Sequence, residues 1–456
     1  MFDSLLQRFG GFFKIGFLAF LALVLLIPVQ MVRSMVEERT DRANSVKREI
    51  SSKWGGEQSV GAVRLDVPCT VKSTDTAGKV HESTVWIHAW PQKLDVVGKM
   101  ETEIRKRGIY RVPLYLAGLD LHGEFRLPDP ATLGLKGAVP RWEEAQIAAD
   151  VGDIQSLARP AVLEVAGKAV ELSPTGEGRA VVPARVEDQS EDDRVSNASS
   201  VSELEPTPRL GGAVHLEKAV VGGTIPFRLQ VSTRGQGRLA IQPLARSTSV
   251  KLTSDWASPS YDGRFLPASH SESGNGFEAT WMVSNLNLEV PMVWEGNWRV
   301  AAVPLLGVRM VEPVDDYDSS DRSLKYAFLF LTLTFLAFFL FETFLDTPMH
   351  PVQYALVGLA NCLFYLLTLA ISEHIGFDAA YWIAAGGTTL VISGYAASAL
   401  SGWGRALFLG SGTQGLYGFL YTLLKAEEWS LLMGSCGLFA ILAFVMWVTR
   451  NRFRGF

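Results

Sequence analysis

The chain has little cysteine, little histidine and few charges for its length, and each shortage removes a class of protein. Its three cysteines, Cys69, Cys362 and Cys436, form no CxxC pair and no Cys/His spacing, so neither a zinc module nor a disulfide framework organises the fold. The 7 histidines include no HExxH pattern, and no GxSxG elbow occurs, which removes the common metalloprotease and serine-hydrolase signatures. A formal net charge of −5 gives no basic field to gather nucleic acid, and that partner class is set aside. Only 20% of the 456 residues are charged while 48% are hydrophobic, too apolar for an ordinary soluble protein.

The apolar excess is concentrated. Gly16 to Val32 (GFLAFLALVLLIPVQMV) carries no charge over about 17 residues, close to the roughly 20 that a helix needs to cross a bilayer core. Arg8 and Lys14 precede it, as in a signal peptide, but VRSMVEER closes the run without a small-x-small cleavage site, which predicts an uncleaved anchor. Five further runs follow the middle of the chain: about Ala327 to Phe344, Val352 to Ile371, Phe377 to Ala397, Ala406 to Leu424 and Trp429 to Val448. Short loops between these five predict an antiparallel bundle of helical hairpins. With the N-terminus inside, the inner short segments hold Arg8, Lys14, Arg405, Arg450, Arg452 and Arg454, and the outer loops hold only Lys425. That asymmetry places both termini in the cytoplasm and the long middle region on the far side of the membrane.

The middle region reads as β structure. After VEERTDRANSVKREISSKWGG, which predicts a helix leaving the anchor and ending at Gly55-Gly56, the segments TVWIHAW, YRVPLYLAGLDLHGEF, FRLQVSTRGQGRLAIQ and SVKLTSDW alternate apolar with polar residues. Period two between turn-forming residues predicts an antiparallel sandwich or meander. Asp188 to Leu210 (DQSEDDRVSNASSVSELEPTPRL) is acidic and serine-rich; it cannot bury enough apolar surface to offset its ordering entropy and reads as a flexible linker. It separates two β segments, 57–187 and 211–315. Gly108 to Leu116 and Gly223 to Val231 both run from glycine through a proline into alternation; duplication and two unrelated sheets both stay open as explanations.

Several stretches together resemble one family. SSKWGGEQSVGAVRLDVP, RGIYRVPLYLAGLDLHGEF, LTSDWASPSYDGRFLP, GFEATWMVSNL and DRSLKYAFLFLTLTFLAFFLFE followed by HPVQYALVGLANCLFYLLTLAISEHIGF resemble the CreD inner-membrane proteins, often described as cell envelope integrity proteins. The resemblance covers nearly the whole chain and is most specific from Asp321 through Phe377, continuing into AYWIAA, LYGFLY and LLMGS. It implies a bacterial inner-membrane protein associated with envelope stress and a two-component regulatory system, with no established catalytic reaction. Val60-Gly61-Ala62 departs from the Gly-Pro pair expected there, and the acidic linker is long.

Ionisable groups inside a membrane cost several kcal/mol and are either satisfied or functional. Glu342, His350, Gln353 and Arg405 fall near the predicted cytoplasmic face. Asp321, Arg322, Lys325, Glu373, His374, Asp378, Lys425, Glu427 and Glu428 fall near the outer one. Two polar layers thus enclose an apolar middle and read as interfacial anchors and inter-helix pairs. His374 and Asp378 are four apart and share a face only if the helix continues through Gly376; His374 is expected to meet a carboxylate of a neighbouring helix end. A zinc site there lacks ligand spacing. Gly410 to Gly418 (GSGTQGLYG) lacks the GK[ST] ending of a phosphate loop and reads as small-residue packing through Ser411, Gly415 and Gly418, with Gln414 and Asn361 available for inter-helix hydrogen bonds. His81, His88, His122, His215 and His270 are scattered through the β region without a nucleophile context. Trp54, Trp86, Trp90, Trp256, Trp281, Trp294 and Trp298 read as sandwich-core or surface residues rather than a carbohydrate platform, a reading that an exposed row of them would reverse.

The sequence therefore predicts an α+β membrane protein: a cytoplasmic N-terminus (1–14), a first transmembrane helix (15–32), a periplasmic β-rich domain (33–325) in two segments (57–187 and 211–315) joined by the 188–210 linker, a five-helix transmembrane bundle (326–449) and a basic cytoplasmic tail (450–456). The expected function is a non-enzymatic role in envelope integrity and stress response, with no cofactor and no metal, and with the lipid bilayer and periplasmic or envelope proteins as partners. A transporter or lipid-handling protein is the alternative, and an intramembrane metalloenzyme ranks third.

Overall fold

The computed structural model describes residues 14–74, 80–126, 129–133, 135, 137–175, 209–214, 216, 222–288, 290–296, 304–311, 316–345, 349–399, 403–426 and 429–450. The chain divides into two compact units, one of Met1–Ser45 with Val314–Phe456 and one of Val46–Pro313. Of the 188–210 stretch all but its last two residues lie outside the described residues, as do His215, Trp298, Glu427, Glu428, Arg452, Arg454 and Arg8.

In the helical unit the first element, α1 (Lys14–Trp54), is one helix of 41 residues, with the Val46–Trp54 end belonging to the β unit. It ends where expected, because Gly55 takes φ +137 and a Cβ there would meet the Arg234 carbonyl oxygen at 2.5 Å. Its buried residues are Leu18, Ala22, Leu25, Val29, Val32, Val36 and Ala43, spaced mostly four and three apart, so a single stripe packs inward. Phe20, Leu23, Ile27 and Met31 face outward. Pro28 supplies no N–H, and the helix loosens one turn earlier at Leu25, whose carbonyl accepts a long 3.4 Å bond from the Val29 N–H and a further one at 3.6 Å from the Cys362 thiol. The carbonyl that loses its helical donor to the proline is that of Val24, four residues earlier, while Leu25 keeps its own and gains the thiol.

The other helices are α2 (Asp316–Lys325), α3 (Ala327–Leu345), α4 (Pro351–Ile375), α5 (Phe377–Ala399), α6 (Trp403–Lys425) and α7 (Ser430–Thr449), and α3 to α7 coincide with the five apolar runs. By length and apolarity α1, α4 and α7 can cross a bilayer, and α2 with α3, bent by 50°, meets the same measure as a pair. The helices α5 and α6, 23 residues each, are diluted by Gly386-Gly387-Thr388-Thr389 and Gly410-Ser411-Gly412-Thr413-Gln414. Rings from four helices fill the centre: Phe364 of α4 lies 4.5 Å from Tyr417 of α6 and 5.2 Å from Tyr381 of α5, and Phe330 of α3 lies 4.6 Å from Tyr417. Phe364, Tyr381 and Tyr417 are fully buried.

The packing face of α6 differs from the expected one. A Cβ on Gly415 or Gly418 meets open space, whereas one on Gly410 would strike the Ser393 hydroxyl of α5. The buried stripe of α6 runs through Ala406, Leu409, Gly410, Thr413, Tyr417 and Leu420; Gly415 lies off it because five residues from Gly410 is more than a full turn. Gly358 makes the corresponding close approach on α4, where a Cβ would strike Leu25 of α1.

The β unit is a pair of sheets. One has the order β14 (Pro259–Gly263), β18 (Leu306–Met310), β12 (Arg238–Gln242), β1 (Gln58–Thr74), β6 (Ala145–Val151), β10 (Arg209–Val214), β9 (Ser173–Thr175); β2 (Val80–Ala89) and β5 (Val139–Pro140) join β1, and β17 (Val293–Glu295) joins β2. The other runs β15 (Ser269–Ser273), β16 (Gly276–Ser284), β13 (Ser247–Ser254), β3 (Lys93–Arg107), β4 (Tyr110–Arg126), β11 (Thr224–Gln236), β7 (Leu157–Val165), β8 (Lys168–Val170). The alternation is literal in β11, where Ile225, Phe227, Leu229 and Val231 are buried and the residues between them are exposed, as a strand with one buried face requires. Val63, Leu65, Leu121, Leu229, Ile241, Val250 and Trp281 belong to one core.

Two features depart from the sequence reading. The pairing is not wholly antiparallel, since β1 runs parallel to β12 and β13 parallel to β3. Strands from both sides of the acidic stretch also enter both sheets, so the division in sequence is not a division between sheets. The two segments compared as a duplication are antiparallel neighbours, β4 and β11, in register from Thr224 opposite Arg126 to Gln236 opposite Leu114. Val60-Gly61-Ala62 forms a β-bulge between Gly61 and Arg64, with Ala62 at φ +45; a Cβ on Gly61 would meet the Gln242 carbonyl oxygen at 2.6 Å, so the strand needs glycine there.

Candidate functional sites

At one end of the helical unit Glu342 of α3 forms an ion pair with Lys14 of α1 and accepts a 2.6 Å hydrogen bond from the Tyr354 hydroxyl of α4. Lys14 also donates to the Met349 carbonyl at 3.0 Å. The Glu342 side chain is 14% exposed, so its charge is shielded from solvent and compensated by a cation and a hydroxyl. His350 and Gln353 begin α4: the Val352 N–H donates to His350 Nδ1 at 3.3 Å, and Gln353 Oε1 accepts from the His350 N–H at 3.0 Å. This reciprocal arrangement satisfies otherwise unpaired helix-start donors, so the two side chains serve their own helix. Arg405 stands exposed in the first turn of α6.

The opposite polar group lies about 24 residues further along α4, roughly 36 Å away at 1.5 Å per residue. Glu373 lies 3.4 Å from Arg39 of α1 and accepts from the Tyr317 hydroxyl of α2 at 3.4 Å. Asp321 of α2 meets Arg33 of α1 at 3.4 Å and Lys325 at 2.9 Å. Asp378 of α5 pairs with Lys425 of α6 at 2.7 Å and accepts from the Tyr421 hydroxyl at 3.1 Å. Among the described residues no carboxylate of a neighbouring helix end meets His374: it is exposed, one residue and therefore about 100° around the helix from the packed Glu373. Nor does it share a helix with Asp378, because Gly376 at φ +84 separates α4 from α5. Between the ends, Thr389 of α5 donates to Gln414 of α6 at 2.9 Å and the Tyr417 hydroxyl donates to Asn361 of α4 at 3.0 Å, as the sequence suggested for Gln414 and Asn361.

In the β unit the register of β1 and β2 places Asp66 opposite His88, and that of β2 and β17 places His88 opposite Trp294. Arg64 donates to both Asp66 oxygens, Nε to Oδ1 at 2.6 Å and Nη2 to Oδ2 at 2.8 Å, while His88 Nδ1 lies 2.6 Å from Oδ1. The His88 ring is 5.3 Å from Trp294, which is 5.1 Å from Trp90. Asp66, Trp90 and Trp294 are buried. Burial alone would raise the Asp66 carboxyl, but the His88 hydrogen bond and the Arg64 charge outweigh it and hold its pKa below the ordinary carboxylate value. Sequence reading missed this triplet because Asp66 and His88 are 22 residues apart; a polar, titratable side chain in each of two alternating strands was the available signal. Of the other histidines, His122 lies 3.2 Å from Asp120, and His270 packs against Tyr261 with ring centroids 5.2 Å apart. Burial pushes the Cys69 thiol up to about 11, far from a nucleophilic thiolate. Trp281, Trp90 and Trp294 are buried, and only Trp86 among the described β-region tryptophans is exposed, at 36%, so no surface row forms there. Among the described residues no group of three or more His, Cys, Asp or Glu is placed to hold a metal ion.

Comparison with known proteins agrees with the sequence resemblance. The family model described as "Inner membrane protein CreD" matches residues 11–452. The inner membrane protein CreD of Escherichia coli (strain K12) is 31% identical over 449 residues, which span 96% of this chain and 93% of that protein. Among solved structures, the M1 zinc metallopeptidase of Deinococcus radiodurans aligns at 12% identity with a TM-score of 0.22, over 48% of this chain and 42% of that one. A point mutant of that peptidase bound to a Tyr-Ser-Ala substrate aligns at 12% identity and a TM-score of 0.22, over 42% of this chain and 38% of that one. Likeness at that level carries no argument about fold or chemistry.

Proposed function

This chain belongs to the CreD family of inner membrane proteins, and on that premise we propose that it is a non-enzymatic component of the cell envelope. A helical anchor holds a periplasmic recognition or scaffolding domain at the inner membrane, in support of envelope integrity and the stress response. The chain crosses the bilayer six times, through α1, α3, α4, α5, α6 and α7, with both termini in the cytoplasm and residues 33–325 exported. The lysine and arginine asymmetry of the short segments supports that orientation.

The observation that carries the reading is the aromatic centre of the helical unit. A transport pathway between the two polar ends would have to displace Phe330, Phe364, Tyr381 and Tyr417, which are 0–3% exposed and in mutual ring contact. The charges at the two ends tie α1 to α2, α3 and α4 and α5 to α6, which suits an anchor. Reporter fusions test the orientation: alkaline phosphatase joined after Glu203 should be active, and a fluorescent protein joined after Phe456 should fold in the cytosol. An inactive phosphatase at Glu203 refutes the topology. Deletion of the gene should sensitise cells to detergent, with the full chain restoring resistance; ion or solute flux through proteoliposomes of the purified chain would refute the anchoring role.

A further inference from the structure

A groove of about 600 Å³ opens on the helical unit between α3, α6 and α7. Phe338 and Phe341 of α3, Phe408 of α6 and Phe444 of α7 supply its walls, and Gly404 and Gly412 of α6 supply its depth by having no side chain. The Phe341 and Phe408 rings stack at 6.2 Å. A Cβ on Gly404 or Gly412 meets nothing within 4 Å. The volume lies in the range of small-molecule sites, about 300–1,000 Å³. Arg405 lines one end in the first turn of α6 and Thr413 the other, its hydroxyl donating to the Leu409 carbonyl at 3.0 Å; the rest of the lining is apolar. The positive end of the helix dipole and the arginine thus coincide at the Arg405 end, and both favour an anion.

We infer that this groove seats one phospholipid with an anionic headgroup, its phosphate at Arg405 and an acyl chain lying along Phe408, Gly412 and Phe444. The inference rests on the proposed placement of α3, α6 and α7 in lipid. A concave apolar channel capped by a cation matches a molecule with a hydrocarbon tail and a phosphate at the interface, and basic pockets between transmembrane helices on the cytoplasmic side bind such headgroups. From Arg405 to Gly412 is seven residues, about 10 Å along the helix, so the occupant reaches from the interface well into the hydrocarbon. A second copy of the chain would present no phosphate to Arg405.

The test uses the full chain extracted from membranes after equilibration in nanodiscs of equal phosphatidylglycerol and phosphatidylcholine, with retained lipid counted by native mass spectrometry. The wild type should keep one phosphatidylglycerol per chain in preference to phosphatidylcholine. Arg405→Gln should lower that preference about fivefold, the worth of one arginine near an anionic lipid surface, and Arg405→Lys should keep most of it. Gly412→Leu projects a side chain into the groove from a Cβ position with nothing within 4 Å, replaces glycine by a better helix former, and should abolish retention of either lipid. Equal retention of the two lipids by the wild type overturns the inference, as does unaltered retention in Gly412→Leu. A dimer dispersed by Gly412→Leu with lipid retention unchanged also overturns it, by assigning the groove to a second copy. Recovery of the chain outside the membrane fraction would instead defeat the membrane placement itself.

Discussion

Replacing Asp66 by asparagine tests whether the Arg64–Asp66–His88 triplet stabilises the β unit. The substitution keeps the shape and removes the charge, and its amide nitrogen would face either an Arg64 N–H or the His88 ring where a carboxylate now accepts three hydrogen bonds at 2.6, 2.8 and 2.6 Å. Hydrogen bonds to a charged group contribute about 1.5–3 kcal/mol each, and breaking a buried pair costs about 3–5. The Arg64 side chain is 20% exposed and can recover part of its solvation, which brings the expected loss to about 2–3 kcal/mol. Native-state hydrogen exchange of the full chain, read by mass spectrometry in peptides from β1 and β2, should then show openings about 30- to 150-fold more frequent. The sign with pH follows from the depressed carboxyl: its stabilisation is complete above the ordinary carboxylate range and is lost as pH falls through the lower folded-state value. The gap between wild type and variant should hold from about pH 8 to 5 and close below about pH 4. Exchange within twofold of wild type at neutral pH, or a gap undiminished at about pH 3, would refute the electrostatic reasoning.

Other substitutions separate positions that look alike in sequence. Gly410→Leu should destabilise the chain in detergent by about 1–3 kcal/mol through overpacking against Ser393, whereas Gly415→Leu, in open space, should leave the melting temperature within a degree or two. Gly358→Leu should loosen α1 from α4 because Leu25 and Phe335 already occupy the site; limited proteolysis near residue 30 would report it, and an unchanged digestion pattern would count against the packing. Glu342→Ala should cost about 1–2 kcal/mol by removing the partner of Lys14 and Tyr354, read as a lower detergent melting temperature. His374→Ala, at an exposed position, should leave stability within about 0.5 kcal/mol; a larger loss would mean that the histidine has a partner.

Much of the local structure was legible because it follows from neighbouring residues. The apolar runs anticipated α3 to α7, the Gly55-Gly56 stop ended α1, and period two anticipated β4, β11 and β13. The faces were harder. Within Gly16 to Val32 every side is apolar, so hydrophobicity cannot say that Leu18, Ala22, Leu25, Val29 and Val32 turn inward. Glycine spacing on α6 pointed to Gly415, yet the neighbour that decides which glycine matters, Ser393, sits on another helix. The capping of α4 by His350 and Gln353 was within reach of the sequence, since a polar residue precedes Pro351 and a glutamine follows three positions later.

Sequence alone determined the partition into a helical block and a strand-rich block, the register of alternation and the placing of polar residues at helix ends, because burial periodicity and turn chemistry are local. Only the tertiary structure decided that β1 lies parallel to β12 across roughly 180 residues, that Asp66 meets Arg64 and His88 together, that His374 points away while Glu373 is tied, and that glycines open a groove beside Arg405. Those outcomes depend on which distant surfaces come together, and a one-dimensional pattern carries the tendency to be buried but not the identity of the partner.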